Sequence, residues 1–164
     1  MKRLALIAAL ALILAIFGAW WFSPTQILKR RTQSLLATLT LDESKGKATR
    51  QMGAYSLNGL LASEVELDTP TIKEANGTFD HTELESAYSW LCEQAKQTHF
   101  KLVKFKSISV NGDKAKVEFT LDGLVELPVY RPADGIYDVT FDWQKKEDGW
   151  RLTRASWQQL KARN

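Results

Sequence analysis

KLVKFKSISVNGDKAKVEFTLDGLVE, residues 101–126, alternates apolar and polar side chains on both sides of Asn111-Gly112-Asp113. An alternation with a period of two is typical of a strand that buries one face, and Asn-Gly between two such runs is a strong hairpin signal. The pattern therefore predicts two antiparallel strands, Lys101 to Val110 and Lys114 to Glu126.

A second hairpin is predicted further along the chain. Ile136 to Lys146 and Trp150 to Gln159 also read as strands, and Glu147-Asp148-Gly149 lies between them as a turn. A short extended segment, Glu64 to Pro70, precedes both hairpins, and Asn76-Gly77 signals a turn after it. The C-terminal half is therefore predicted to be an antiparallel sheet.

The alternation of side chains along each predicted strand separates an apolar face of the sheet from a polar face. The apolar side chains of the two central strands are Val117, Phe119, Leu121, Tyr137, Val139, Phe141 and Trp143. The carboxylates of the same strands fall on the opposite face: Glu118, Asp122, Asp138 and Asp142. Because an antiparallel sheet buries its apolar face, we expect these carboxylates to point to solvent. A bulge near Gly123 would change the phase beyond it, so the orientation of Glu126 stays open.

An amphipathic helix is predicted before the sheet. Ser23 is placed to cap it, Pro24 suits the first helical position, and Gln26 stands where a capping box needs it. The helical period continues to about Leu41.

Two further helices are predicted between this helix and the hairpins. One spans roughly Lys47 to Ala62, although it contains two glycines, and its apolar stripe includes Ala48 and Tyr55. The other begins where Asp80 and Glu83 form a capping pair, and it continues to Ala95. The element order is that of an α+β domain with helices packed on one face of a sheet.

An apolar run of 19 residues, Leu4 to Phe22, precedes the domain. As a helix it would be about 28 Å long, close to the roughly 30 Å hydrocarbon core of a bilayer. A cleaved secretory signal is the alternative, but its apolar core has only about 7 to 15 residues and small residues precede the cut. Cleavage after Ala19 would place Phe17 at such a position. We expect residues 1–22 to form an uncleaved transmembrane anchor, with a kink at Ser23-Pro24 and the domain at residues 23–164.

The positive charge of the chain is concentrated beside this run. Five of the 22 Lys and Arg residues lie at or before Arg31, and from Thr32 onward 17 basic residues face 19 acidic ones, a net charge of about −2. Nucleic-acid binding, which needs a basic face, is therefore not expected. The basic residues on the two sides of the run nearly balance, so the positive-inside rule does not decide the orientation. We expect the inner (plasma) membrane, with the domain on the periplasmic or extracytoplasmic side.

The chain has few residues that could ligate a metal ion or act as a catalytic nucleophile. Cys92 is the single cysteine, and His81 and His99 are the only histidines. Their spacing matches neither a metal-ligand cluster nor a cysteine nucleophile with its base, and Asp80 is explained as a helix cap. No catalytic residue, metal or cofactor is predicted.

Three segments together resemble the nuclear transport factor 2-like superfamily, which is also called cystatin-like or SnoaL-like. They are LLASEVEL at 60–67, the helix that starts near Asp80, and EDGWRL at 147–152. The resemblance extends from about Pro24 to Gln159 and implies a curved sheet that, with three helices, encloses a cone-shaped cavity. The superfamily includes isomerase-like and dehydratase-like enzymes, polyketide cyclases, transport adaptors and membrane-anchored scaffold subunits, so the fold does not select a function.

Enzymes of that superfamily place an acid or base inside the cone, where burial shifts its pKa. The two central strands place none there. Tyr55, Tyr88 and His81 are the side chains that we expect to contact a ligand if the cone is open. The other candidates for cavity chemistry are Asp68 and Arg154, and Trp143, Trp150 and Trp157 would either pack the sheet or line an apolar pocket.

Two hypotheses about function follow. In the first, the chain is a single-span membrane-anchored envelope protein whose domain is a non-enzymatic module that binds a protein partner, or itself as a homodimer. In the second, the cone binds a small apolar ligand or serves an isomerase- or dehydratase-like enzyme. A cone filled by Trp and Phe side chains would contradict the second hypothesis.

Overall fold

The computed structural model describes residues 2–42, 46, 50, 52–69, 75–129 and 132–162, and within these it describes side chains from residue 10 to residue 161. The helices are α1 (Lys2–Trp21), α2 (Pro24–Leu39), α3 (Gly53–Asn58) and α4 (His81–Gln94). The strands are β1 (Leu61–Asp68), β2 (Gly77–Asp80), β3 (Gln97–Asn111), β4 (Lys114–Glu126), β5 (Ala133–Lys146) and β6 (Gly149–Ala162). The predicted α+β class is confirmed.

The strands form one sheet in the order β2-β1-β6-β5-β4-β3. Both predicted hairpins are present, and every neighbouring pair is antiparallel except β1 and β6, which are parallel. The prediction of a purely antiparallel sheet was therefore wrong, and the four-residue strand β2 was not predicted. Alternation identifies a strand from its own residues, whereas the choice of neighbour depends on contacts between distant parts of the chain.

Bulges bend the long strands. The register shifts twice between β3 and β4, around Val103 and Lys106, and twice between β5 and β6. A bulge adds a residue to one strand and increases its local bend and twist. The sheet is therefore curved, and its apolar face is the concave side on which helices α2, α3 and α4 pack.

The two hairpin turns lie side by side at one end of the sheet. Gly112 and Gly149 adopt φ values of +61° and +123°, which glycine tolerates without steric cost. The backbone N–H of Lys145, near the end of β5, donates to the carbonyl oxygen of Asp113 in the first turn at 2.7 Å.

Helix α2 begins at Pro24, as predicted. Ser23 holds the N-cap position, but its side chain makes no capping hydrogen bond, so the predicted capping box with Gln26 is absent. The segments Leu10–Trp21 and Pro24–Leu39 are inclined at 54°, which confirms the predicted kink. Arg30 braces this bend: its Nη2 donates to the Trp21 carbonyl at 2.9 Å, and its guanidinium lies 4.4 Å from the centre of the Trp21 ring.

By length and composition, no helix among the described residues is able to cross a bilayer by itself, whereas Leu10–Trp21 and Pro24–Leu39 together satisfy the same test as a bent pair. The prediction of one transmembrane helix before the domain is therefore not supported by the structure. Anchoring stays a prediction.

Helix α3 ends four residues before the predicted end of the helix from Lys47 to Ala62. It ends at Asn58, and β1 begins at Leu61, because residues from Leu61 onward pair with β6 and β2. Tertiary pairing here outweighs local helical pattern. Ala48 and most of the first turns of the predicted helix lie outside the described residues.

Helix α4 carries the predicted capping box. The backbone N–H of Glu83 donates to Asp80 Oδ1 at 2.8 Å, and the backbone N–H of Asp80 donates to Glu83 Oε2 at 2.9 Å. Both donors would otherwise be left without partners at the start of the helix. Asp80 is therefore a structural cap.

Candidate functional site

A row of aromatic rings occupies the concave side of the sheet. Neighbouring ring centres are 6.3 Å apart for Phe105 and Phe119, 5.0 Å for Phe119 and Phe141, and 6.2 Å for Phe141 and Trp143. The planes meet at 62° to 75°, the edge-to-face arrangement that aromatic quadrupoles favour. The row crosses three adjacent strands, β3, β4 and β5, where the superfamily resemblance predicts a cavity.

Helices α2 and α4 pack over the aromatic row on the side that faces away from the sheet. Leu28 and Leu35 of α2 and Tyr88 and Cys92 of α4 are all buried in the same core as Phe119 and Trp143. Burial raises the pKa of the Cys92 thiol, so the thiol stays protonated near neutral pH and is not an activated nucleophile. In the described part of the chain, the space under the helices is filled by side chains.

The interior is poor in groups for acid-base chemistry. Among the described residues, no Asp, Glu or His side chain is buried, and the buried polar residues besides Tyr88 and Cys92 are Thr32, Thr69, Thr98 and Thr120. The same residues contain no group of three His, Cys, Asp or Glu side chains suited to a metal ion.

Tyr88, a predicted ligand contact, is a packing residue. It is 4% exposed, and its hydroxyl lies 3.0 Å from the carbonyl oxygen of Thr38 and 3.1 Å from that of Arg50. Desolvation raises the pKa of this hydroxyl, which keeps it a donor. A Cβ on Gly53 would lie 2.1 Å from the same hydroxyl oxygen, so the glycine in α3 permits this close approach.

The other two predicted ligand contacts lie elsewhere. Tyr55 is 85% exposed on α3, and His81 is half-buried at the start of α4, in an open recess of about 680 Å³ beside Asn58 and Arg151. Tyr55, Tyr88 and His81 therefore do not line one pocket. Ligand contact by these residues stays a prediction.

The EDGWRL segment, residues 147–152, has a structural role beside this recess. Arg151 forms an ion pair with Asp148 and donates from Nη1 to the Asn58 carbonyl at 2.6 Å. Arg31 of α2 donates from Nη1 to the Gly59 carbonyl at 3.0 Å, and a Cβ on Gly149 would lie 2.6 Å from its guanidinium. Burial, followed by the nearby charge of Arg151, lowers the pKa of Arg31. Both arginines thus hold α2 and α3 against the hairpin turn.

The convex face of the sheet is charged. Glu66, Arg154, Asp142 and Lys116 lie side by side on β1, β6, β5 and β4, since each is the register partner of the next. Arg154 Nη2 is 2.9 Å from Asp68 Oδ2, and its Nε is 3.7 Å from Glu66 Oε1. The hydrogen bond to Asp68 raises the pKa of Arg154.

Asp68 and Arg154 were predicted as candidates for cavity chemistry, and this placement was wrong. They come together only because β1 and β6 are parallel neighbours, a pairing that the sequence does not reveal. The carboxylates of the central strands lie on this convex face, as predicted, but they are half-buried and partly paired: Asp138 accepts from Lys106 Nζ at 2.5 Å, and Glu118 accepts from Ser107 Oγ at 2.5 Å.

Comparison with known proteins identifies the fold. A nuclear transport factor 2-like superfamily protein from Salmonella enterica superposes with a TM-score of 0.62 at 13% identity, covering 85% of this chain and 92% of that one. A Caulobacter vibrioides protein with a cystatin-like fold superposes with a TM-score of 0.64 at 10% identity, covering 84% and 89%. The chain has the nuclear transport factor 2-like fold.

The same comparisons leave the activity open. A dehydratase candidate of the nuclear transport factor 2-like family from Streptomyces avermitilis matches with a TM-score of 0.56 at 18% identity, covering 82% of this chain and 94% of that one. Similarity at this level identifies a fold and not a reaction. No protein-family model and no curated protein matches the chain.

Replacing Tyr88 by phenylalanine tests its structural role. Y88F removes the hydroxyl that bonds two part-buried carbonyl groups, so we expect the free energy of unfolding in urea at pH 7 to fall by about 1–2 kcal/mol. Y55F makes the same chemical change on an exposed ring and should change it by less than about 0.5 kcal/mol. Equal effects of the two variants would contradict the packing role.

Proposed function

We propose that this chain is a membrane-anchored protein whose nuclear transport factor 2-like domain binds a protein partner through the convex face of its sheet and is not an enzyme. The aromatic row from Phe105 to Trp143 carries this proposal, because it occupies the site where this fold would hold a substrate.

The apolar surface of α1 supports the anchor. The large side chains from Leu10 to Phe22 are between 42% and 71% exposed, and they continue an uninterrupted apolar run that begins at Leu4. An exposed apolar surface of this size is unfavourable in water and marks a membrane or protein contact. Trp20 and Trp21 at its end suit the membrane interface. We place the anchor in the inner (plasma) membrane and the domain on the periplasmic side.

The filled interior opposes the enzyme alternative. Catalysis in the cone needs an open pocket with a few convergent polar groups, at least one of them titratable. Among the described residues, the interior holds packed aromatic rings, a protonated thiol and threonines instead. A small-ligand site in the cone would require the displacement of side chains such as Phe119 and Trp143, which are 0% and 1% exposed.

The convex face is the broad charged surface that we propose for binding. It spans the sheet from β1 to β3, and its charged side chains are held in register by the strands. Ion pairs at its centre fix Arg154, which reduces the conformational entropy lost when a partner docks.

Substitution of two residues of the apolar run by arginine tests the proposed anchor. Each arginine at the centre of a spanning helix costs about 2.5–3.5 kcal/mol to insert, so L10R/I13R should move the full chain from the carbonate-resistant membrane fraction to the soluble fraction. M52R/V129R adds the same charge at positions 72% and 88% exposed on the domain and should leave the protein in the membrane. Solubility of the wild type, or equal behaviour of the two variants, would refute the anchor.

A photo-crosslinking residue at Gln158 tests the binding surface. Gln158 is exposed on β6 at the convex face, whereas Glu93 is exposed on α4 at the opposite side of the sheet. In intact membranes, we expect a discrete protein adduct from position 158 and none from position 93. If both positions give the same adducts, or neither gives any, the convex face is not the binding surface.

A further inference from the structure

We propose that the end of the sheet that carries the two hairpin turns docks on the bilayer surface and contacts the headgroups of anionic phospholipids. The inference rests on the proposed function, because it needs the anchor. It goes further, because it assigns a second membrane contact to the domain itself. It is carried by the path of the chain from α1 to the turns, by lysines at the turns that form no ion pair, and by the uneven distribution of charge.

Helix α2 begins at the same end of the sheet as the two turns. The Arg31 guanidinium lies against the turn between β5 and β6, where a Cβ on Gly149 would be 2.6 Å from Nη2. Because Arg31 is seven residues after Pro24, only about 10 Å of helix separates this contact from the start of α2. Beyond the end of α2, Leu41 pairs with Thr98 at the opposite end of the sheet. The turns therefore lie on the side of the domain that is next to the proposed anchor.

The last residues of α1 mark the expected depth of the membrane surface. Trp20 and Trp21 are 52% and 42% exposed, as suits rings at a bilayer interface. Arg30 donates to the Trp21 carbonyl and lies over the Trp21 ring, so this cation is held at the same depth. Attraction to a charged surface extends over about 8 Å at physiological ionic strength. The turn at Gly149 is close enough for exposed cations around it to be attracted.

Three exposed lysines, the turn lysines, flank the two turns. Lys114 begins β4, and Lys145 and Lys146 end β5. The backbone N–H of Lys145 donates to the carbonyl oxygen of Asp113, so Lys145 and Lys114 are neighbours. None of the three forms an ion pair with another described residue, whereas four other basic residues of the domain do: Lys96, Lys106, Arg151 and Arg154. The turn lysines are therefore available to bind phosphate groups.

The positive charge of the domain is concentrated at this end. The two turns, their flanking residues and the first half of α2 contain seven basic residues and three acidic ones. They are Lys29, Arg30, Arg31, Lys114, Lys145, Lys146 and Arg151 against Asp113, Glu147 and Asp148. The rest of the chain from Thr32 onward has 13 Lys and Arg against 16 Asp and Glu. An anionic surface attracts the turn end and repels the remainder, which orients the turns toward the bilayer.

The anchor strengthens this contact by holding the turn lysines close to the bilayer. A tethered group binds as an intramolecular partner, at an effective concentration in the millimolar range. Each basic residue near an anionic membrane surface favours binding about fivefold. Three lysines are therefore enough for a docked state, and the repulsion from Asp113 and Glu147 reduces the effect without cancelling it. Docking then depends on the content of anionic lipid.

Fluorescence quenching in vesicles tests the docked state. The full chain is labelled on N111C at the tip of the first turn, or on V129C, which is 88% exposed after the end of β4, and the buried Cys92 is left unlabelled. The vesicles carry a headgroup quencher in phosphatidylcholine, with or without about one third phosphatidylglycerol. The label at position 111 should be quenched at least about threefold more strongly with phosphatidylglycerol than without it. The label at position 129 should behave the same in both.

Removal of the turn lysines should abolish the lipid dependence. K114Q/K145Q/K146Q should lower the ratio of docked to undocked domain at least about tenfold, so quenching at position 111 falls to its level in phosphatidylcholine. The same loss is expected for wild type in about 1 M NaCl, where the screening length is about 3 Å. K101Q/K104Q/K161Q removes the same charge from exposed lysines away from the turns and should keep the dependence. Circular dichroism and urea midpoints check that each variant is folded.

Carbonate extraction of the same vesicles separates this inference from the anchor. Wild type and K114Q/K145Q/K146Q should both resist extraction, because the turn lysines lie outside the apolar run. A resistant wild type overturns the docked turn end, and leaves the anchor standing, if quenching at position 111 ignores the lipid or the triple variant, or equals that at position 129. A wild type that carbonate extracts overturns the anchor and this inference together.

Discussion

The edge-to-face row of Phe105, Phe119, Phe141 and Trp143 is the contact on which the rest of the domain depends. It joins three strands on the concave side of the sheet, and Leu28 of α2 and Tyr88 of α4 are buried in the same core. Rings in these contacts contribute beyond the area they bury. The row fills the part of the cone in which this fold could hold a ligand.

Side-chain contacts link that opposite face to the apolar helix α1. Arg30 braces the bend at Trp21, Arg31 fixes α2 to the hairpin turn, and the strands then hold the row from Glu66 to Lys116 in register. The same contacts that stabilise the domain therefore fix the orientation of its charged surface relative to α1, the helix proposed as the anchor. Surface charge, rather than buried acid-base groups, is the property that the described part of this structure arranges most directly.

Local patterns predicted the local elements well. The first hairpin was predicted from the alternation and from Asn-Gly. The cap of α4 was predicted from Asp80 and Glu83, and the start of α2 after the apolar run was predicted from Pro24. Contacts between distant residues were not predictable in this way. Nothing in residues 61–68 indicates that β6, more than 80 residues later, is their parallel neighbour, so the pairing of Asp68 with Arg154 was missed. Both Tyr55 and Tyr88 were predicted to contact a ligand, although Tyr55 is exposed in the folded domain and Tyr88 is buried.

The filled cone is the central claim, and a xenon-pressurised crystal tests it most directly. Xenon occupies dry apolar cavities in proteins and finds no ordered site in a closely packed interior. The aromatic row predicts no xenon atom between the sheet and helices α2 and α4. An ordered xenon atom among Phe119, Phe141 and Trp143 would contradict the account, because it would show that the cone holds a cavity able to accept a small apolar ligand.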